Sequence, residues 1–409
     1  MNAPITLDIS RLLWRAARRV PTGIDRVEHA YAEILQRLAP DRLRYAALHP
    51  LGHFRTLPTA RSRHFIERIG QEWAEAMPVG EPDTTVKGSV SALARQLQAL
   101  MLLPGRQPAV PRHGRPTYLL ASHHHLHKGP AIRAAQERLG ASFVCFIHDL
   151  IPIEFPEYGR PGQDAKHRQR IDTAVRMADA FVVNSASTRD ALLPYLHAAG
   201  RNVPLLVAPL GVRSIVPPGS PAAEPAADPY FVYVGTIEPR KNHLLLLHIW
   251  RHLVERMGAQ APRLVLIGQR GWENEMVVDI LDRSVLLRGH VIEHNALPDM
   301  QVQALIAGSR ALLLPSFAEG YGLPLAEALA LGVPALCSDL PALREVGGEA
   351  PDYLDPIDGL GWMNAILDYI DPQSPRRTAQ LRRIATWSAP QWPPHLEAVL
   401  RLIDALPAP

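Results

Sequence analysis

The chain has 409 residues, of which 47% are hydrophobic and 20% charged, with a net charge of +3. That is enough apolar material for two or three packed domains and excludes a disordered chain. Its two cysteines, Cys145 and Cys337, lie far apart in apolar runs, which excludes a disulfide framework or a cysteine-based zinc site and fits a reducing compartment. No apolar run is long enough to span a membrane, and the opening MNAPITLDIS lacks the apolar stretch of a signal peptide, so a cytoplasmic chain is expected.

In chain order, ITLDIS (5–10) predicts a first strand. RLLWRAARRV (11–20) follows with Arg11, Arg15, Arg18 and Arg19 beside Leu12, Leu13 and Trp14. As a helix it would be basic, amphipathic and suited to a membrane surface; as a loop it would supply cations to a ligand. TGIDRVEHAYAEILQRL (22–38) predicts a loop and a helix. Residues 79–116 form an insertion in which Leu93, Leu97, Leu100 and Met101 share one helical face, a packing stripe. TYLLAS (117–122), SFVCFIHDL (142–150) and AFVVNSAS (180–187) predict further strands. If the first of these runs on, His123, His125 and His127 share a face. With no Asp, Glu or Cys among them, contact with an acceptor or a phosphate is a better reading than a metal.

SIVPPGSPAAEPAADP (214–229) is a linker, rich in Pro and Ala and without periodicity. Beyond it, strands at 230–235, 263–268, 284–289, 311–315 and 334–338 alternate with helical patterns such as 243–257 and 299–308, and an amphipathic helix closes the chain within 387–406. Short, wholly apolar strands alternating with helices predict an α/β fold with parallel sheets covered on both faces. Two such doubly wound domains would place a ligand cleft at the carboxyl ends of their strands. The expected division is 1–213 (with 79–116 inserted), the linker 214–229, 230–385, and a terminal helix 386–409 packing back on the first domain. The charge divides unevenly as well, with 27 Lys and Arg against 18 Asp and Glu over residues 1–210, and 16 against 22 beyond. A basic first half points to an anionic partner, such as nucleic acid or an anionic membrane surface, and a solvated arginine-rich surface explains it equally well.

Two segments carry the chemistry. TIEPRKNH (236–243) follows a strand directly, so Arg240 and Lys241 stand at its carboxyl end. Helix starts favour anions, so two adjacent cations there point to a bound phosphate, with pairing to Glu238 as the bland alternative. SFAEGYGLPLAEALALGVP (316–334) holds Glu319 in a glycine loop and Glu327 about one turn into a helix opened by Pro324 and stopped at Gly332. Loop and helix N–H groups would converge there on an anion. Glu327 can accept from two ribose hydroxyls and Glu319 from those of a sugar ring. Asp149 beside His148 reads as a turn or cap residue at a strand end.

EPRKN after a strand, then RGHV, then SFAEGYGLPLAEALALGVP, resembles the retaining GT-B glycosyltransferases of family 4, and HDLIPIEFPEY (148–158) resembles their polysaccharide mannosyltransferase branch. The likeness is strong over 230–356, moderate over 142–215 and weaker over 1–40. It implies a GT-B fold of two Rossmann-like domains facing across a central cleft. It also implies transfer of a hexose, first mannose from GDP-mannose, from a nucleotide diphosphate sugar to a growing, lipid-linked glycan in cell-surface polysaccharide (lipopolysaccharide) synthesis. The implied partners are this donor, the glycan acceptor and an anionic membrane surface, with no nucleic acid. The enzyme would be cytoplasmic and peripheral on the inner membrane face, and would need no metal or other cofactor.

By the same resemblance Arg240 and Lys241 would hold the diphosphate, Glu319 the transferred sugar and Glu327 the ribose. Backbone N–H groups of Gly320, Tyr321, Gly322 and Leu323 would line sugar and phosphates, and His290 and Val291 would border the base. His148 would lie near the sugar's outer hydroxyls, and Thr22-Gly23 would form the first domain's glycine loop, with a single glycine where the family usually has two. Retention by front-face attack would let the departing phosphate take the acceptor proton, so no nucleophile is assigned. The rival readings are a nucleotide-sugar epimerase or hydrolase on the same fold and a non-catalytic glycan- or lipid-binding scaffold.

Overall fold

The computed structural model describes residues 3–18, 20–74, 84–102, 115–213 and 229–407, with side chains of the helix Thr84–Leu100 described from residue 90. The expected linker 214–229 lies outside these except for Pro229, as do residues 79–83 and 103–114 of the insertion. The chain forms two compact units: Met1–Ile153 with Asp164–Gly211 and Gln391–Pro409, and Glu154–Gln163 with Val212–Pro390.

The first unit is built on seven strands: β1 (Ile5–Asp8), β2 (Leu43–Leu48), β3 (Phe54–Leu57), β4 (Thr117–Leu120), β5 (Ser142–Ile147), β6 (Ala180–Val183) and β7 (Leu205–Val207). Their order is β3-β2-β1-β4-β5-β6-β7, all pairs being parallel except β2 with β3. Every residue of β1, β4, β5 and β6 is buried, the signature of a parallel sheet covered on both faces. The terminal helix Trp392–Asp404 belongs to this unit. Tyr31 and His395 share a 2.8 Å hydrogen bond there, and Arg42 pairs with Asp404 at 2.6 Å.

The second unit holds β8 (Tyr230–Val234), β9 (Arg263–Ile267), β10 (Val291–His294), β11 (Leu312–Leu314), β12 (Ala335–Ser338) and β13 (Asp352–Leu354). All are parallel, in the order β10-β9-β8-β11-β12-β13. Renumbered from its first strand this is the 3-2-1-4-5-6 Rossmann order, in which the connection reverses direction between β8 and β11. Gly268, at the end of β9, is required there: a Cβ would lie 1.9 Å from the carbonyl oxygen of Gly235.

Three expectations are corrected. Residues 284–289 form no strand: Val285 is 75% exposed, only Leu287 of the segment is buried, and β10 begins at Val291 in register with Leu264 of β9. The strand TYLL stops at Leu120, so His123, His125 and His127 lie in a turn and do not alternate on one face. RLLWR is neither a loop nor a free amphipathic helix. It is a short helix, Ser10–Arg15, with Leu12 and Leu13 buried. The stripe in the insertion packs as expected, with Leu97 and Met101 buried and Leu93 and Leu100 partly so. Strands β2, β3, β7, β10 and β13 carried no separate prediction.

Candidate active site

The connection reversal between β8 and β11 opens a crevice at the carboxyl edge of the second sheet, and the two loops that border it hold the charged residues. β8 runs out into the short turn Pro239–Lys241, closed by Asn242 in a left-handed conformation with φ 55°. The Asn242 side chain donates to the Pro356 carbonyl at 2.8 Å, which fixes a backbone region that few residues other than glycine adopt. β11 runs out into 315–322. Gly322 caps the helix Leu323–Ala330 with φ 107°, and a Cβ there would meet Leu343 Cδ2 at 2.5 Å. Pro324 stands at the second position of that helix, where no N–H is needed. Glu327 follows one turn in and is half-buried.

The loops are tied by charge. Arg240 Nη1 donates to Glu319 Oε2 at 3.0 Å and to the Ala318 carbonyl at 2.8 Å, while its Nε pairs with Glu238 at 2.7 Å. Lys241 Nζ donates to Glu319 Oε1, which also accepts from Ser316 Oγ at 2.7 Å. The Phe317 N–H donates to the Arg240 carbonyl at 2.8 Å. Glu319 and Lys241 keep only 7% and 8% of their side-chain surface. Burial alone would raise the Glu319 carboxyl, but Lys241 and Arg240 more than offset it and hold it at about 2. Burial, followed by Arg240, pulls Lys241 below its ordinary value, and Glu319 opposes the fall. Two cations and two carboxylates thus stand at one strand edge, with the arginine still partly open at 23% exposure.

Beside this group the segment Glu154–Gln163, which belongs to the second unit, adds a wall. Tyr158 stacks on Phe317 with ring centroids 5.8 Å apart, Trp272 Nε1 donates to the Tyr158 carbonyl at 3.0 Å, and Arg160 lies over Trp272 at 5.2 Å.

Of the predicted residues, Arg240, Lys241, Glu319, Gly320, Tyr321, Gly322, Leu323 and Glu327 fall on these two neighbouring loops and the helix that follows them. His290 and Val291 do not. Because they open β10 and the sheet is parallel, they lie at its amino edge, opposite to Arg240. The carboxyl end of β10 offers His294 and Asn295 instead. RGHV misled because Val-Leu-Leu before it reads as the strand. Glu238 and Ser316 were not assigned a part in the site, although their place flanking Arg240 and Glu319 was visible.

His148 and Gly23 belong to the first unit. Gly23 is exposed and opens the helix Gly23–Leu38. Thr22 N–H and Oγ1 donate to Asp25 at 2.7 and 2.8 Å, the reciprocal half of a capping box. His148 follows β5, is buried, shares a 2.8 Å hydrogen bond with the Ala121 carbonyl and lies 4.3 Å from the Phe146 ring. Burial pulls it down to about 4, so it is a neutral hydrogen-bonding group at neutral pH. Among the described residues no three His, Cys, Asp or Glu side chains are placed to hold a metal ion, and no helix is long and apolar enough to cross a membrane.

Residues 221–351 match the family described as glycosyl transferases group 1. The chain is 29% identical over 257 residues to an O-antigen chain mannosyltransferase B of Escherichia coli, covering 61% of this chain and 66% of that protein. It is 29% identical over 232 residues to a serotype-specific mannosyltransferase WbdA of the same organism, covering 53% of this chain and 28% of that one. The chain thus spans less than two thirds of the length of these curated relatives. Among solved structures, Anabaena Alr3699/HepE in complex with UDP and glucose superposes with a TM-score of 0.65 at 15% identity, over 99% of this chain and 100% of that one. Sucrose-phosphate synthase of Thermosynechococcus elongatus gives 0.62 at 15%, over 98% of each. Two parallel-sheet α/β units give this chain the GT-B fold, and residues 221–351 carry a glycosyl transferases group 1 domain. Its sequence relatives include O-antigen mannosyltransferases.

Proposed function

We propose that the chain is a retaining glycosyltransferase of family 4. It moves a hexose, first mannose from GDP-mannose, from a nucleotide diphosphate sugar to a growing, lipid-linked glycan of O-antigen type at the inner membrane face. The observation that carries this is the Glu319–Lys241–Arg240 cluster at the reversal point of the second sheet, where open α/β folds take nucleotides.

Breaking the anomeric bond builds negative charge on the leaving diphosphate. In this reading Arg240 and Lys241, together with the N-terminus of the helix Leu323–Ala330, stabilise it in place of a metal. Glu319, ionised at neutral pH, fixes both cations, keeps buried Lys241 charged and can accept from a sugar hydroxyl. A carboxyl held near 2 is a poor base, which fits a positioning role and proton transfer to the departing phosphate. Glu327 is assigned the ribose. The base falls to the carboxyl end of β10, at His294 and Asn295, because His290 and Val291 lie on the other edge.

A thermal-shift panel of GDP, UDP, ADP and their sugars tests the reading, because a ligand of the native state raises its melting temperature. The largest shift is expected with GDP and GDP-mannose, and transfer should continue in EDTA. No shift with any nucleotide overturns the reading, and conversion of free donor without acceptor would point to an epimerase or hydrolase.

A further inference from the structure

Residues 154–163 read EFPEYGRPGQ, two aromatic rings three positions apart among prolines and glycines. Pro156 opens the turn Pro156–Tyr158, in which the Tyr158 N–H donates to the Phe155 carbonyl at 3.1 Å and the Gly159 N–H to the Pro156 carbonyl at 3.0 Å. Beyond it the Arg160 N–H donates to Gln163 Oε1 at 3.2 Å and the Gln163 N–H to the Arg160 carbonyl at 3.0 Å. These bonds hold the segment in one shape, so its side chains are presented at little further ordering cost. Phe155 and Tyr158 stack with ring centroids 6.0 Å apart, and Tyr158 stacks in turn on Phe317 at an interplanar angle of 9°. Phe317 stands two positions before Glu319, so a ladder of three rings leads from the surface of the segment to the loop of the charged cluster.

Exposure alone decides nothing, because single apolar side chains are common at protein surfaces. Phe155, however, is the most exposed phenylalanine, tyrosine or tryptophan among the described residues, at 38%, and it is the open end of a stack. Polar groups border it. The Glu157 carboxylate is exposed, and neither it nor the half-buried Tyr158 hydroxyl makes a hydrogen bond to a described residue. The Arg160 guanidinium lies over the Trp272 ring and makes no ion pair among the described residues. An apolar face edged by an uncommitted acceptor, an uncommitted donor and a hydroxyl that is both suits a pyranose, whose C–H face is apolar and whose hydroxyls donate and accept. A flat nucleobase would use the rings but has no such rim, and a phosphate would meet the Glu157 charge.

We propose that Phe155 and Tyr158, with Glu157 and Arg160 at their rim, form a saccharide platform on the second unit, on which a hexose of the glycan acceptor stacks beside the charged cluster. The word acceptor rests on the glycosyl-transfer reading; the stacking of a sugar on these rings does not.

α-Linked mannobiose titrated into the full chain and followed by saturation-transfer NMR reads the platform without any transfer. In the wild type the protons on one face of a pyranose ring should take up the most saturation. Phe155→Leu keeps the apolar bulk and removes the ring, and should weaken binding about tenfold, while Phe155→Trp stays within about threefold of the wild type. Glu157→Gln should weaken it about threefold through the hydroxyl contacts alone. The melting temperature of Phe155→Leu should match the wild type, because the ring is at the surface. In transfer assays Phe155→Leu should raise KM for a mannose-ended acceptor about tenfold and leave KM for the nucleotide sugar within about twofold. No saturation of mannobiose by the wild type, or equal affinity and equal acceptor KM in wild type and Phe155→Leu, overturns the proposal. A rise in KM for the nucleotide sugar alone overturns it as well, by giving the ring to the nucleobase. Saccharide binding that depends on Phe155 in a chain that transfers no sugar would instead count against the transfer reading and leave the platform standing.

Discussion

The two sheets meet the same topological problem and solve it with opposite chemistry. Each reverses its strand order beside its first strand, between β1 and β4 in one unit and between β8 and β11 in the other. The second unit fills that crevice with fixed charge: Arg240 and Lys241 against Glu319 and Glu238. The first unit fills it with groups that are neutral or shared: Asp8 bound by Tyr118 and His125, Glu28 accepting from the Leu12 N–H at 3.2 Å, and histidines pulled down by burial. Burial, and then the nearby Asp8 charge, pushes the Glu28 carboxyl up to about 8, so it holds its proton at neutral pH. The lesson is that a crevice at a strand-order reversal is a location without a chemistry. The side chains at the two strand ends decide which charges it offers to a ligand.

The contrast can be broken most sharply at Glu319. Glu319→Gln should lower kcat by about 10²–10³, as for loss of a transition-state contact, with nucleotide affinity changed by less than about threefold. It should also cost stability, because Lys241 would lose its counter-charge in a buried place, an effect of about 3–5 kcal/mol for a half-removed pair. Steady-state kinetics and denaturant unfolding read the two losses separately. A variant with near wild-type turnover would remove Glu319 from the site.

Gly322→Ala comes next. At φ 107° with Leu343 Cδ2 in the way, an alanine should cost about 1–3 kcal/mol and shift the helix start assigned to the diphosphate. A lower melting temperature and weaker nucleotide binding are expected together, and an unshifted melting temperature would mean that the turn relaxes without strain.

Glu28→Gln sharpens the first unit's side of the comparison. A carboxyl raised from its ordinary value of 4.5 to about 8 stays protonated in the folded chain while the unfolded chain ionises. Its contribution is therefore fully present below 4.5 and is lost as pH rises through about 8. The wild type should lose stability over that window with a slope of up to about 1.4 kcal/mol per pH unit from this group, and the glutamine variant should be flatter there. Equal slopes in denaturant titrations at pH 5, 6, 7 and 8 would show that Glu28 ionises normally.

The smallest effect is expected at His290. Because it precedes β10, His290→Ala should leave nucleotide affinity within about twofold. A large loss would return the base to RGHV and contradict the edge assignment.

Much of the second unit was legible because its strands are short apolar runs ended by glycine or a charged turn, as in YFVYVG before TIEPRKNH. The residues of the charged cluster came with it, since a strand end followed by Arg-Lys and a helix start preceded by Gly-Tyr-Gly each carry their own local geometry. What the pattern could not give was burial. Val285-Leu286-Leu287 is as apolar as a strand, yet only Leu287 is buried, and the ladder forms beyond it. Ser10–Arg15 likewise becomes a helix because Leu12 and Leu13 find a core and Asp25 engages Arg11 and Arg15, contacts made by residues 10 or more positions away. The histidine run was visible as a run. That His123 packs against His167 depends on a helix some 40 residues further on.

In the proposed function Arg240, Lys241 and Glu319 form one diphosphate-binding unit. A structure of the chain soaked with its nucleotide sugar tests it most directly. Diphosphate oxygens are expected within hydrogen-bonding distance of Arg240 and Lys241, with the sugar ring against Glu319. A diphosphate seated elsewhere, with these three side chains still bound only to one another, would contradict it.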